Sequence, residues 1–249
     1  MSAWLGRIAA VLGSAAMLGA LVTACQPQAL APTPQQIESM GLRARHAGQA
    51  EALTQLQQWA RAGQTVAQRE LALALAETPA NWPTARDWLE RAARGGDDDA
   101  AQRLGELHRL GRWGLKPDPA QAARWLGLAA RQGQADAALQ LALLLKHGDG
   151  VARDEAQALH WLQAAADAGN PRAMFLLSQA HARGDGVARS EPLARQWLEA
   201  AADRHDPPAL QAYALALENG DLGYKKNPAL ARELLIEAGS ERHNRWAGH

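Results

Sequence analysis

The sequence predicts an all-α protein, a right-handed α-solenoid of helix-loop-helix units, on three observations. Trp125, Trp161 and Trp197 recur every 36 residues, with Trp88 37 residues before the first and Leu234 37 residues after the last. Alanine and leucine, the strong helix formers, dominate the body of the chain, while the β-branched residues that favour strands are scarce. Glycines fall at matching places in each period, where a chain of paired helices must reverse.

Taken in order, residues 1–24 read as an export leader. Arg7 supplies a positive start, and an uncharged run follows from Ile8 to Ala24. That run is at the lower edge of what can span a bilayer, so a plain membrane anchor is the alternative. Leu21-Val22-Thr23-Ala24-Cys25 resembles the bacterial lipobox, an aliphatic residue and two small ones before a cysteine. The resemblance implies that Cys25 becomes the lipidated first residue of the mature chain, its thiol being the nucleophile that takes the lipid. Cys25 is also the sole cysteine, which excludes a disulfide framework and a cysteine-rich zinc site. Gln26 after the cysteine implies, by the same resemblance, the outer membrane with the body facing the periplasm; anchorage in the inner membrane is the alternative. Residues 25–37 contain the proline- and glutamine-rich stretch Gln26 to Gln36, too polar and extended to build a core, and read as a tether.

Residues 38–65 are expected to cap the solenoid. Ala50 to Gly63, with Trp59, has the pattern of the second helix of a unit. Residues 66–239 form the repeat array, about four to five units. In the central two, Leu141-Ala142 and Leu177-Ser178 open a unit. Gly148-Asp149-Gly150-Val151 and Gly184-Asp185-Gly186-Val187 turn it, and the Trp161 and Trp197 helices close it. Apolar positions recur at three and four residues, as half-buried helices require. Gly133 and Gly169 fit the position just past a helix, and Pro171 the first position of one. Asp97-Asp98-Asp99 reads as the negatively charged start of a helix rather than a calcium loop, since the alternating ligand spacing and distal glutamate are missing. Helices this short cannot bury their apolar faces alone, so stacked units share one core, with tryptophan in the wedge between pairs. Residues 240–249 are a basic tail, expected to be mobile.

These segments resemble the Sel-1-like repeat family, a relative of the tetratricopeptide repeat. The shared pattern is alanine, three residues, Leu-Gly and a tyrosine three further on; then a Gly-x-Gly-Val turn; then a tryptophan helix ending in two alanines and a glycine. The sequence departs from it at the tyrosine, where it has His108, Leu145, His181 and Leu217. His205 stands in place of the third unit's terminal glycine, and Leu234 in place of the last tryptophan.

The resemblance implies an adaptor whose first helices line a concave face. Counting two residues before the Leu-Gly pair, then two, five and six after it, gives the expected groove. It comprises Gln102, Glu106, Arg109 and Leu110; Leu139, Leu143, Lys146 and His147; Phe175, Gln179, Ala182 and Arg183. Leu139, Leu143 and Phe175 on such a face would make a patch suited to an amphipathic helix or an extended acidic peptide. The alternative is that the register is off by one and these residues are core.

Other chemistry finds little support. The 26 basic and 26 acidic residues balance, and loss of the leader's Arg7 leaves −1, so there is no bulk attraction for nucleic acid. No histidine pair has metal-ligand spacing on one helix, and His108 and His181 read as packing groups. The Gly-Asp-Gly turns are not a dinucleotide fingerprint. Trp113 lies in an enlarged loop, where it is expected to cover the core. Nothing gathers an acid, a base and a nucleophile around one cleft. The expectation is a non-catalytic scaffold holding one or more envelope proteins and attached to the membrane through its lipid. No cofactor, metal or small-molecule substrate is expected. The alternatives are a periplasmic regulator or inhibitor that sequesters one protein, and an enzyme acting on cell-wall peptides or β-lactams.

Overall fold

The structure is a computed structural model that describes residues 31–46 and 49–247, with side chains as far as Glu241. The leader, the lipobox with Cys25 and the first part of the tether lie outside the described residues. The body runs α1 (Pro34–His46), α2 (Ala50–Arg61), α3 (Thr65–Ala76), α4 (Trp82–Arg94), α5 (Asp98–Leu110) and α6 (Pro119–Arg131). It continues with α7 (Ala135–His147), α8 (Glu155–Asp167), α9 (Pro171–Arg183), α10 (Glu191–Ala202), α11 (Pro207–Asn219) and α12 (Pro228–Ala247). Two single 3-10 turns, Pro79–Asn81 and Asp221–Gly223, precede α4 and α12. No described residue is in a strand, and no helix among them is long and apolar enough to cross a membrane.

Five hairpins, α3/α4 to α11/α12, stack in chain order, the second helix of each packing on the first helix of the next. The starts are written in the sequence. Asp97, Asp118, Asp154, Asn170, Ser190 and Asp206 each cap a helix by accepting the backbone N–H three residues on. Such a cap contributes about 1 kcal/mol. The α5 helix begins at Asp98, with Asp97 accepting from Ala100 at 2.8 Å, so the acidic triplet does start a helix.

The ends use glycine. Gly148 and Gly184 close α7 and α9 in the left-handed conformation. The second glycine of the turn answers a different demand. A side chain at Gly150 would meet the backbone of Ala120 and Pro119 at 2.4 Å, so only glycine lets this loop rest on the start of α6.

The core is made of leucine and alanine. Leu126, Leu162 and Leu198 are 0%, 3% and 2% exposed. Burying each is worth roughly 2 kcal/mol. The tryptophans one residue earlier, Trp125, Trp161 and Trp197, are only partly buried and pack at its margin. They close the wedge between hairpins rather than fill it.

Two boundaries differ from the sequence reading, and one turn is made without glycine. Helix α1 starts at Pro34, inside the segment read as tether, because proline costs nothing in a first turn and Ile37 is fully buried. Helix α12 continues through the tail to Ala247; Gly239 sits within it and makes no turn. Where Gly133 and Gly169 have φ of 95° and 93°, His205 takes the left-handed φ of 55° with a full side chain. Its ring nitrogen lies 2.5 Å from Glu237 of α12.

The cap is a hairpin, α1/α2, with both helices against α3. A Cβ at Gly41 would fall 2.1 Å from the Glu70 carboxylate, so glycine allows this close approach. Glu70 is buried and held by Arg45 at 2.6 Å.

Candidate partner-binding face

The odd-numbered helices α3 to α11 are joined to one another along one edge. Each cap residue of an odd helix reaches back to the preceding odd helix. Asp97 takes Arg69 at 3.1 Å, and Gln134 donates to Asp98 and Asp99 at 3.1 and 2.9 Å. Asn170 donates to Asp136 at 2.6 Å, and Asp206 lies 3.9 Å from Arg172. These links bring the odd helices side by side along one face of the stack, the one expected to be its inner face.

Between α3 and α5 that face opens into a groove of about 350 Å³, lined by Arg69, Leu73, Gln102, Arg103 and Glu106 among others. Of the residues expected on the partner-binding face, Gln102 and Glu106 line this groove, 3.4 Å apart. Arg69 and Leu73 occupy the same positions counted from Leu71, and Leu215, 56% exposed, the same position counted from Tyr213. Extending the count to the first and last hairpins would have found all three.

Along the remaining units, Arg109, Lys146, His147 and Arg183 are exposed, and Leu110 is 41% exposed. Leu139, Leu143, Gln179 and Ala182 are half-buried. Phe175 corrects the expectation of an open aromatic. It is 7% exposed, in the core cluster with Met174, Leu177 and Ala209, and the Arg172 guanidinium lies 5.2 Å from its ring centre. A ring at this position gains more in the seam between hairpins than in water.

The polar hub at the N-terminal end of the face is Arg69. It contacts Glu38, Glu70, Asp97 and Asp99, tying the cap and the first two hairpins. Burial pulls its guanidinium down, but Asp97, Asp99 and Glu70 more than reverse this, so it is held above its ordinary range. Burial pushes the Asp97 carboxyl up, against the lowering effect of the Ala100 N–H and Arg69. The ligand atoms of Asp97, Asp98 and Asp99 lie close enough to share a cation. Their oxygens already accept from Ala100, Arg69 and Gln134, which accounts for the cluster as a cap and a tie between hairpins.

The histidines in the tyrosine slot sit behind the face. His108 is half-buried, and burial lowers its pKa. His181 has a buried ring nitrogen with no hydrogen-bond partner among the described residues. Trp113, at φ 50°, packs on the core, and its carbonyl accepts from Arg86 at 2.9 Å, so the enlarged loop is a cover.

A stack of hairpins with side chains spread over one inner face defines an α-solenoid of the adaptor type. The Sel1 repeat family model matches residues 66–97, 98–134, 135–170, 171–206 and 207–243, hairpin by hairpin. The chain belongs to the Sel1 repeat family, whose members are typically protein-interaction scaffolds. Among solved structures it resembles a Sel1 repeat protein from Oxalobacter formigenes, with 26% identity and a TM-score of 0.71 over 86% of this chain and 90% of that one. It also resembles a protective antigen present in uropathogenic Escherichia coli strains that displays an SLR fold, with 29% identity and a TM-score of 0.68. That match covers 76% of this chain, which spans 40% of the antigen's length. The comparison with curated proteins finds no match.

Proposed function

We propose that the protein is a non-catalytic adaptor of the bacterial envelope that holds a partner protein on its inner face. The observation that carries this reading is the groove between α3 and α5, continued by Leu143 and the exposed Leu215 at one register through later hairpins. Apolar side chains repeated on one open face favour a macromolecular partner over a small molecule in one pocket. The envelope setting rests on the sequence alone: the leader, Cys25 as the lipidation residue, and the tether. We place the protein at the outer membrane, anchored by its lipid, with the solenoid in the periplasm.

The test uses a photo-crosslinking amino acid in living cells. Placed at Leu143, Lys146 or Leu215, it should capture one common protein. Placed at Arg124 or Gln196, exposed on the even helices, it should not. Identical adducts from both sets, or none from the inner face, would end the reading. Cys25→Ala should abolish incorporation of labelled palmitate; retained label would remove the lipid anchor from the proposal.

A further inference from the structure

Arg109 and Lys146 stand at one register in the last turns of α5 and α7, and Arg183 stands one place further along, at the end of α9, in the same last turn. All three are exposed. Elsewhere on this face the fold pairs its cations, as Arg69 with Asp97 and Arg172 with Asp206. Among the described residues, these three meet no carboxylate. Asp149 and Asp185 follow in the loops, beyond the reversing Gly148 and Gly184, and pair with none of them.

A cation in a last helical turn also complements the helix dipole. That account would apply equally to α3 and α11, whose last turns carry no basic residue. There the helix ends carry Glu77, the residue just past α3, and Glu218, in the last turn of α11, both exposed. Along the ends of the odd helices the order is thus carboxylate, three cations, carboxylate, and the flanking carboxylates limit how long a complementary segment can be.

Packed helices stand roughly 10 Å apart. An extended chain advances roughly 3.3 Å per residue, so carboxylates about three residues apart would meet successive cations. Burial of Phe175 removes the broad apolar strip that an amphipathic helix would need, leaving separate footholds at Leu110 and Leu143. We propose that this row binds an extended acidic segment of the partner protein, with carboxylates at every third residue and small apolar anchors between them. The proposal rests on the inner-face reading and names the chemistry of its partner.

The experiment is fluorescence anisotropy on the full chain, with a labelled peptide of repeating Glu-Leu-Ser and its Gln-Leu-Ser and Lys-Leu-Ser counterparts. The glutamate peptide should bind at least tenfold tighter than the glutamine peptide, and its affinity should fall steadily with salt. The triple variant Arg109→Glu, Lys146→Glu, Arg183→Glu alters only exposed side chains. It should stay folded, melting a few degrees lower for the three lost helix-end cations, and should lose the glutamate peptide and gain the lysine one. Equal binding of the glutamate and glutamine peptides, or an unchanged triple variant, overturns the proposal. So does tight binding of heparin without the glutamate peptide, which would make the row a site for anionic polysaccharide. If the peptides fail while crosslinks from Leu143 persist, the inner face keeps its partner and only the acidic class is lost.

Discussion

Arg69 of α3 holds Asp97, the cap of α5, with one guanidinium nitrogen 3.1 and 3.2 Å from its two carboxylate oxygens. Asp97→Ala removes the cap and leaves a largely buried cation short of a partner, so it should cost about 3 kcal/mol. Asp97→Asn keeps a capping oxygen and should cost clearly less. Urea denaturation of the two variants checks this order; equal losses would mean that the ion pair, not the cap, carries the effect.

The margin position of the tryptophans reverses the order of importance that size suggests. Leu162→Ala should cost about 3 kcal/mol, because Leu162 is enclosed and leaves a cavity. Trp161→Ala, at a partly exposed site, should cost about half as much. Chemical denaturation reads both; a larger loss for Trp161 would put it inside the core.

On the inner face, burial separates folding from binding. Phe175→Glu places a charge in the core and should destabilise by more than about 3 kcal/mol. Leu143→Glu is half-exposed and should change stability by about 1 kcal/mol or less while abolishing partner capture. Melting curves with the crosslinking assay test the pair. A Phe175 variant that melts like wild type would return this ring to the open face.

His108 carries a pH dependence. Burial lowers its pKa in the folded protein, so the unfolded chain takes up the proton first as pH falls. Its contribution is complete above the ordinary histidine value and is lost progressively on acidification through that value toward the lowered one. His108→Tyr should flatten the fall in melting temperature between about pH 7 and 5. An unaltered slope would place the effect on other groups.

Much of this architecture was legible in the chain. The tryptophan period located the hairpins, and the Gly-x-Gly turns and acidic caps fixed their ends. The register counted from Leu104 leads to Gln102 and Glu106, which line the groove between α3 and α5. The depth of a seam was not legible. Leu143 and Phe175 are both large and apolar, and only the packing of neighbouring hairpins puts one at the surface and the other beneath it. Arg69, Leu73 and Leu215 lie at the same offsets from Leu71 and Tyr213, in the first and last units, beyond the three units that were counted. Gly239 suggested an end, yet glycine terminates a helix only where the chain then turns.

The links from Asp97, Gln134, Asn170 and Asp206 all lie at the starts of the odd helices. At the opposite edge, between the second and fourth hairpins, no side-chain hydrogen bond joins one hairpin to the next among the described residues. The array is therefore stitched by side chains along one spine, while its far edge is held by close packing, as where the Gly150 loop rests on the start of α6. A segment lying across Arg109, Lys146 and Arg183 would cross three hairpins at the edge that has no such stitches, so its own contacts would add the side-chain ties that this edge lacks.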